Sequence, residues 1–215
     1  MDPLSVIAST IAIIQAVSAT YGAIQHLRGL PTEFNEVSRT LPLAQDTLRL
    51  AHDQLQGVAL DESSRKALQP LVSACKDKAQ MLQDIFESVG RDAKNTKDES
   101  VLAFYRNFLL RMGKAHRVET LMQGILKALD ALATNQLFRA ATQGQITLLE
   151  EAINQLANVD SSVPDSDLEG YGRNVVQHNA SGATGYISTI SGSDHKINSG
   201  SGKLYNAHTM NFGTE

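Results

Sequence analysis

Residues 34–55 read FNEVSRTLPLAQDTLRLAHDQL, and the spacing of their apolar side chains decides the fold. Phe34, Val37, Leu41, Ala44, Leu48, Ala51 and Leu55 follow one another in alternating steps of three and four. That alternation keeps one side of an α-helix apolar and suits packing against neighbours at shallow angles. Pro42 lies inside the run and has no N–H to give the helix. It is expected to kink the helix or split it near Thr40.

The pattern extends downstream. After Asp61, the row Leu68, Val72, Cys75, Ala79, Leu82, Phe86 and Val89 predicts a third helix. Gly90 is its expected stop, and Pro70 marks a candidate first turn. Residues 91–100 are polar and read as a loop. Ser100 can cap a helix carrying Val101, Phe104, Tyr105, Phe108 and Met112, with a bend at Gly113. Val118, Leu121, Ile125, Leu129 and Leu132 continue the pattern, and Ile146, Leu149, Ile153 and Leu156 close it. About five helices with short connections predict an all-α, up-and-down bundle over residues 1–160.

Upstream, Asp2-Pro3 is a helix start, a capping carboxylate before a proline. Leu4, Ile7, Ile11, Ile14 and Val17 recur at helical spacing, Ile13 and Ala16 widen the apolar surface, and Gly29 and Pro31 end the segment. From Pro3 to Leu27 there is no Asp, Glu, Lys or Arg. Asp2 comes first and no basic residue precedes the apolar run, which argues against a signal peptide. A spanning helix needs about 20 mostly apolar residues. This stretch has the length, but Ser5, Ser9, Thr10, Gln15, Ser18, Thr20 and Gln25 dilute it. It reads either as a helix buried at the centre of the bundle or as one that leaves the bundle to enter a membrane. A protein with two states accommodates both.

Charge and motif content exclude several functions. The net charge is −4, divided as 16 basic and 18 acidic residues in 1–160 and 3 basic and 5 acidic residues beyond. Neither part has the basic excess that a phosphate backbone requires, so no nucleic-acid partner is expected. Arg65, Lys66, Lys76, Lys78, Arg91, Lys94 and Lys97 read most simply as solvated faces. Cys75 stands alone on an apolar helical face and reads as an inert thiol. The six histidines show no metal-ligand spacing. Gly202-Lys203 is followed by Leu204, so no phosphate-binding loop is formed there. No cofactor, metal or catalytic residue is expected, and the chain does not read as an enzyme.

At residue 161 the composition changes. Eight of the fifteen glycines and nine serines fall in 161–215. Residues 161–170, with Pro164, read as a hinge. Residues 171–215 hold short β-prone pieces closed by glycine. The candidate assembly core is Asn174, Val175 and Val176; Tyr186, Ile187 and Ile190; and Leu204, Tyr205, Asn206, Met210, Asn211 and Phe212. Too few large apolar residues are present for a core, so the isolated tail is expected to be disordered. Asn-rich, weakly charged, proline-poor strands are also what stacks in a cross-β array. Gly172-Arg173 with His178 and Gly202-Lys203 with His208 share a spacing and form a weak pseudo-repeat.

Three stretches carry a family resemblance over about residues 1–160. They are Met1-Asp2-Pro3-Leu4-Ser5-Val6-Ile7-Ala8, then Leu30-Pro31-Thr32-Glu33-Phe34-Asn35-Glu36-Val37-Ser38-Arg39-Thr40-Leu41-Pro42-Leu43, then Gly113-Lys114-Ala115-His116-Arg117-Val118-Glu119 with Leu121-Met122. Together they resemble the SesA-type, or HeLo-like, domain at the N-terminus of fungal NACHT and P-loop NTPase receptors and of their stand-alone effectors. The tail, ending near Asn211-Phe212-Gly213, is similar to the prion-forming motifs of the same systems. The resemblance implies a necroptosis-executioner-like cell-death effector. An NLR-type receptor, NACHT or NB-ARC, would template amyloid in the tail. Clustering with other copies would then send residues 1–27 from the cytoplasm to the lipids of the plasma membrane. No catalytic residue is implied. The alternative is a non-toxic adaptor bundle in the same kind of complex.

Overall fold

Most members of the apolar rows form buried helical stripes, although Met112 is exposed and Leu4, Ile11, Phe104, Phe108, Ile146 and Ile153 are half-buried. The computed structural model describes residues 2–95 and 101–169, apart from the side chains of residues 92–95 and 169. The elements are α1 (Pro3–Ile24), α2 (Glu33–Leu55), α3 (Glu62–Asn95), α4 (Val101–Met112), a 3-10 turn (Lys114–His116), α5 (Val118–Ala133), α6 (Arg139–Ala157) and the short α7 (Asp165–Glu169). Among the described residues there is no strand, and the fold is an all-α bundle. The expected disordered tail lies outside the described residues.

Long α3 is the spine. It packs against α1 on one side and α5 on another, while α2 fills the space between α1, α5 and α6. The seam residues Phe34, Val37, Leu41, Ala44, Leu48, Ala51 and Leu55 are all buried, as are Leu68, Val72, Cys75, Ala79, Leu82, Phe86 and Val89 of α3. Buried hydroxyls are satisfied locally. Thr10 Oγ1 donates to the Val6 carbonyl at 2.8 Å, and Thr142 Oγ1 reaches the Ala133 carbonyl at 2.9 Å.

Several boundaries differ from the sequence expectation. Helix α2 continues through Pro42 and α3 through Pro70. Both prolines are exposed, so the carbonyl that each leaves without its helical donor can meet water instead. Helix α3 also starts earlier than Pro70, because Asp61 caps it by accepting from the Ser64 amide at 2.7 Å. Gly90 does not stop α3, which runs on to Asn95. A Cβ on Gly90 would stand 3.2 Å from Ile24 Cγ2, so this glycine permits close approach of α3 to the end of α1. Gly113, with φ of 89°, ends α4 outright and separates it from α5. The proposed Ser100 cap lies outside the described residues.

The folded body also extends past residue 160. The stretch read as a hinge turns back after α6 and docks: Ser162 and Val163 are buried, and α7 lies against α4.

At the centre Phe34 stands between Phe86, at 4.8 Å between ring centroids, and Tyr105, at 5.1 Å edge-on. Truncation there removes buried area and leaves a cavity. Phe34→Ala is expected to lower unfolding free energy by about 3–5 kcal/mol in a denaturant titration. A loss of under about 1 kcal/mol would show that the site collapses freely and is not central.

Candidate functional site: the first helix and the polar clamp behind it

Asp2 caps α1 by accepting from the Ser5 amide at 3.2 Å, and Pro3 occupies the first turn. The row facing inward is Val6, Ile7, Thr10, Ile14, Val17 and Ile24. Of the five sequence candidates for membrane insertion, Ile7, Ile14 and Val17 are fully buried, whereas Leu4 and Ile11 are half-buried. The exposed positions are Ser5, Ala8, Ser9, Ala12, Gln15, Ser18, Ala19, Gly22 and Ala23. The helix thus buries or half-buries its large apolar side chains and turns small or neutral polar ones toward solvent.

This arrangement revises the reading of a helix at the centre of the bundle. Helix α1 lies at its edge. It is long and apolar enough to cross a bilayer by length and composition, with a mean hydropathy of 1.6 over an 18-residue window, of which 28% is buried. Its 22 residues span about 33 Å, close to the hydrocarbon thickness of a bilayer. Toward its C-terminal end it is pinned by Tyr21, whose hydroxyl donates to Asn35 Oδ1 at 3.2 Å and whose ring stands 6.3 Å from that of Phe86.

Behind this aromatic group is a polar clamp. The hydroxyl of Tyr105 on α4 accepts from the Val118 amide at 3.0 Å, which satisfies the first N–H of α5. The same hydroxyl lies 3.1 Å from Ser162 Oγ. The Ser162 amide donates to Glu119 Oε1 at 3.2 Å. Arg117, buried just before α5, donates to the Val163 carbonyl at 2.6 Å and to Asp165. Lys114 Nζ reaches the second Asp165 oxygen at 2.7 Å. The stretch that leads toward the tail is therefore fastened to α4 and α5 by neutral and charged hydrogen bonds, with Val163 buried between them.

Burial shifts the titration of this cluster. It raises the Tyr105 phenol and pushes the Glu119 carboxyl above its ordinary range, with the Glu33 charge adding to the effect. Hydrogen bonds from Lys114 and Arg117 hold Asp165 below the usual carboxylate range. On α3, burial pushes the Cys75 thiol up to about 12, which leaves it a small apolar core residue in the neutral range. Among the described residues no group of three or more His, Cys, Asp or Glu is placed to hold a metal ion.

The aromatic and charged residues of the clamp carry no sequence signature of their own. Arg117 and Glu119 fall in a recognised stretch but at no motif spacing, and Ser162 and Asp165 lie in what reads as a hinge. Only the fold brings them together. The assembly-core candidates Asn174, Val175, Val176, Tyr186, Ile187, Ile190, Leu204, Tyr205, Asn206, Met210, Asn211 and Phe212 lie outside the described residues.

Glu119 sets a pH dependence with a definite sign. Its folded pKa is raised, so the folded chain keeps a proton that the unfolded chain loses near 4.5. Stability then falls as pH rises from that value through the folded one. Glu119→Gln removes this dependence. Its urea midpoint is expected to gain on that of the native chain as pH is raised from about 4.5 to 7. A difference that stays constant with pH would contradict the assignment.

Comparison with curated proteins and with solved structures finds no match. The family model for SesA, the N-terminal domain on NACHT NTPase and P-loop NTPases, matches residues 7–132. The matched stretch runs from the first turns of α1 almost to the end of α5 and covers more than half of the 215 residues. It includes the buried row of α1 from Ile7 onward, the Phe34–Phe86–Tyr105 contacts, and Arg117 with Glu119. On that coverage the chain belongs to the SesA family of domains associated with NACHT NTPases.

Proposed function

We propose that this protein is a programmed-cell-death effector of an NLR-type signalling system, whose first helix attacks membranes once the chain is clustered. One observation carries the reading. Helix α1 is uncharged, membrane-length and placed at the edge of the bundle, with one face of small and neutral polar residues exposed. Its outward face consists of small residues and a few neutral polar ones, whose transfer into lipid costs little compared with that of a charge. Membership of a family found with NACHT NTPases supports a signalling role.

The trigger in this reading is the tail. Residues 171–215 combine Asn, Gly and isolated apolar residues in the way that suits cross-β stacking. A receptor bearing a similar motif would template them, and copies of this chain would gather on the template. Clustering multiplies weak helix–lipid contacts through effective concentration. The protein would be cytoplasmic at rest and at the plasma membrane when active. It needs neither a cofactor nor a catalytic residue for this work.

The test must spare the fold. Ile14 is fully buried and Ile11 half-buried, so a charge at either would unsettle the bundle itself. Ala12 and Ala19 face solvent. Ala12→Arg or Ala19→Asp is expected to cut dye release from anionic vesicles by the clustered chain about tenfold or more, since a charge at mid-helix opposes insertion. The melting temperature is expected to stay unchanged. Undiminished release would leave the domain as a non-toxic adaptor bundle.

A further inference from the structure

Arg106, Lys114 and Arg117 come from α4, the 3-10 turn and the residue before α5, and they meet one short stretch of chain. Lys114 Nζ stands 2.7 Å from one oxygen of Asp165, and Arg117 holds the other. Arg106 donates to the Asp167 carbonyl at 3.2 Å and lies 3.9 Å from the Asp167 carboxylate. At Arg117 the two sides of this contact are unequal. The Arg117 side chain is 9% exposed, while that of Asp165 is 54% exposed. Arg117 is built into the bundle, Arg106 and Lys114 are 41% and 45% exposed at its surface, and Asp165 rests on them from outside.

Buried donors are left over on the cationic half. The Nε atoms of Arg117 and Arg106 are both buried without a hydrogen-bond partner. The bonds that Arg117 makes to Val163 and Asp165 both use one terminal nitrogen. A guanidinium offers five N–H donors in a fixed fork. The Asp165 carboxylate is planar, and its two oxygens are divided between Lys114 and Arg117. A tetrahedral oxyanion has more acceptor oxygens and more charge, and it can bind the arginine fork and the lysine together.

We propose that Lys114 and Arg117 form a binding site for a phosphate-class oxyanion, a phosphomonoester either free or on a lipid headgroup, which the chain's own Asp165 occupies in this structure, while Arg106 holds the same stretch through Asp167. Anion and Asp165 need the same donors, so they exclude each other. Binding of the anion is then linked to undocking of residues 162–168, and by reciprocity docking of that stretch weakens anion binding. The site stands independently of the membrane role of α1 and of any assembly by the tail.

The experiment titrates the full-length chain with inorganic phosphate and follows the arginine Nε–H resonances by NMR. Asp165→Asn is expected to bind phosphate about tenfold more tightly than the native chain, with the Arg117 resonance moving on binding. Arg117→Lys in that background keeps the charge and loses the fork, and it is expected to abolish the gain. Lys114→Gln, at a half-exposed position, is expected to weaken binding several-fold with the circular dichroism spectrum intact. The proposal is overturned if Asp165→Asn gives no gain, or if the gain survives Arg117→Lys. A second arm compares soluble inositol phosphate with phosphatidylcholine vesicles carrying phosphatidylinositol phosphate. Tighter binding to the vesicles assigns a lipid headgroup, equal binding assigns a free phosphoester, and binding to neither overturns the site.

Discussion

Phe34 packed between Phe86 and Tyr105 is the contact on which the rest of the structure depends. It lies in the first turn of α2, yet it joins four separate parts of the chain. Phe86 leads to Tyr21 and hence to α1. Tyr105 leads to the first amide of α5 and to Ser162. The described chain thus has its first helix and its last residues fastened to the same aromatic group, although they are far apart in sequence. Such a group ties stability at one end to packing at the other, because removing any ring leaves its neighbours facing a void.

The physical character of α1 follows from where its large side chains point. Moved into water, Ile7, Ile14 and Val17 would each cost roughly 1.5–3 kcal/mol. Moved into hydrocarbon, they would lose packing but stay in an apolar medium. A helix without charge therefore has two environments that suit the same residues and one, water, that does not. The bundle supplies the first environment for one face only, and the small residues on the other face ask little of either. Family membership adds a setting, association with NACHT NTPases.

Much of this was legible in the sequence, and the exceptions have physical causes. The heptad-like rows were read residue by residue because burial on a helix repeats with the backbone, and every member of the α2 and α3 rows is buried. Helix breakers were misread where context overrides local preference. Pro42 and Pro70 sit on exposed faces, and Gly90 serves a close approach to Ile24 rather than a turn. Residues 161–169 have the composition of a linker. Their docking rests on Tyr105, Arg117 and Glu119, more than forty positions away in the chain. No local pattern records such a pairing. The edge position of α1 was also hidden, since an uncharged helix has the same composition whether one face or all faces are covered.

The most direct measurement of the central claim places a fluorescent probe on the outer face of α1. With Cys75 replaced by Ala, a single cysteine at Ser9 would carry a polarity-sensitive dye, and the chain would be clustered on anionic vesicles. The account predicts a blue-shifted emission that is quenched by spin labels fixed deep in the acyl chains. A probe that stays in an aqueous environment while the chain is clustered and bound would contradict it.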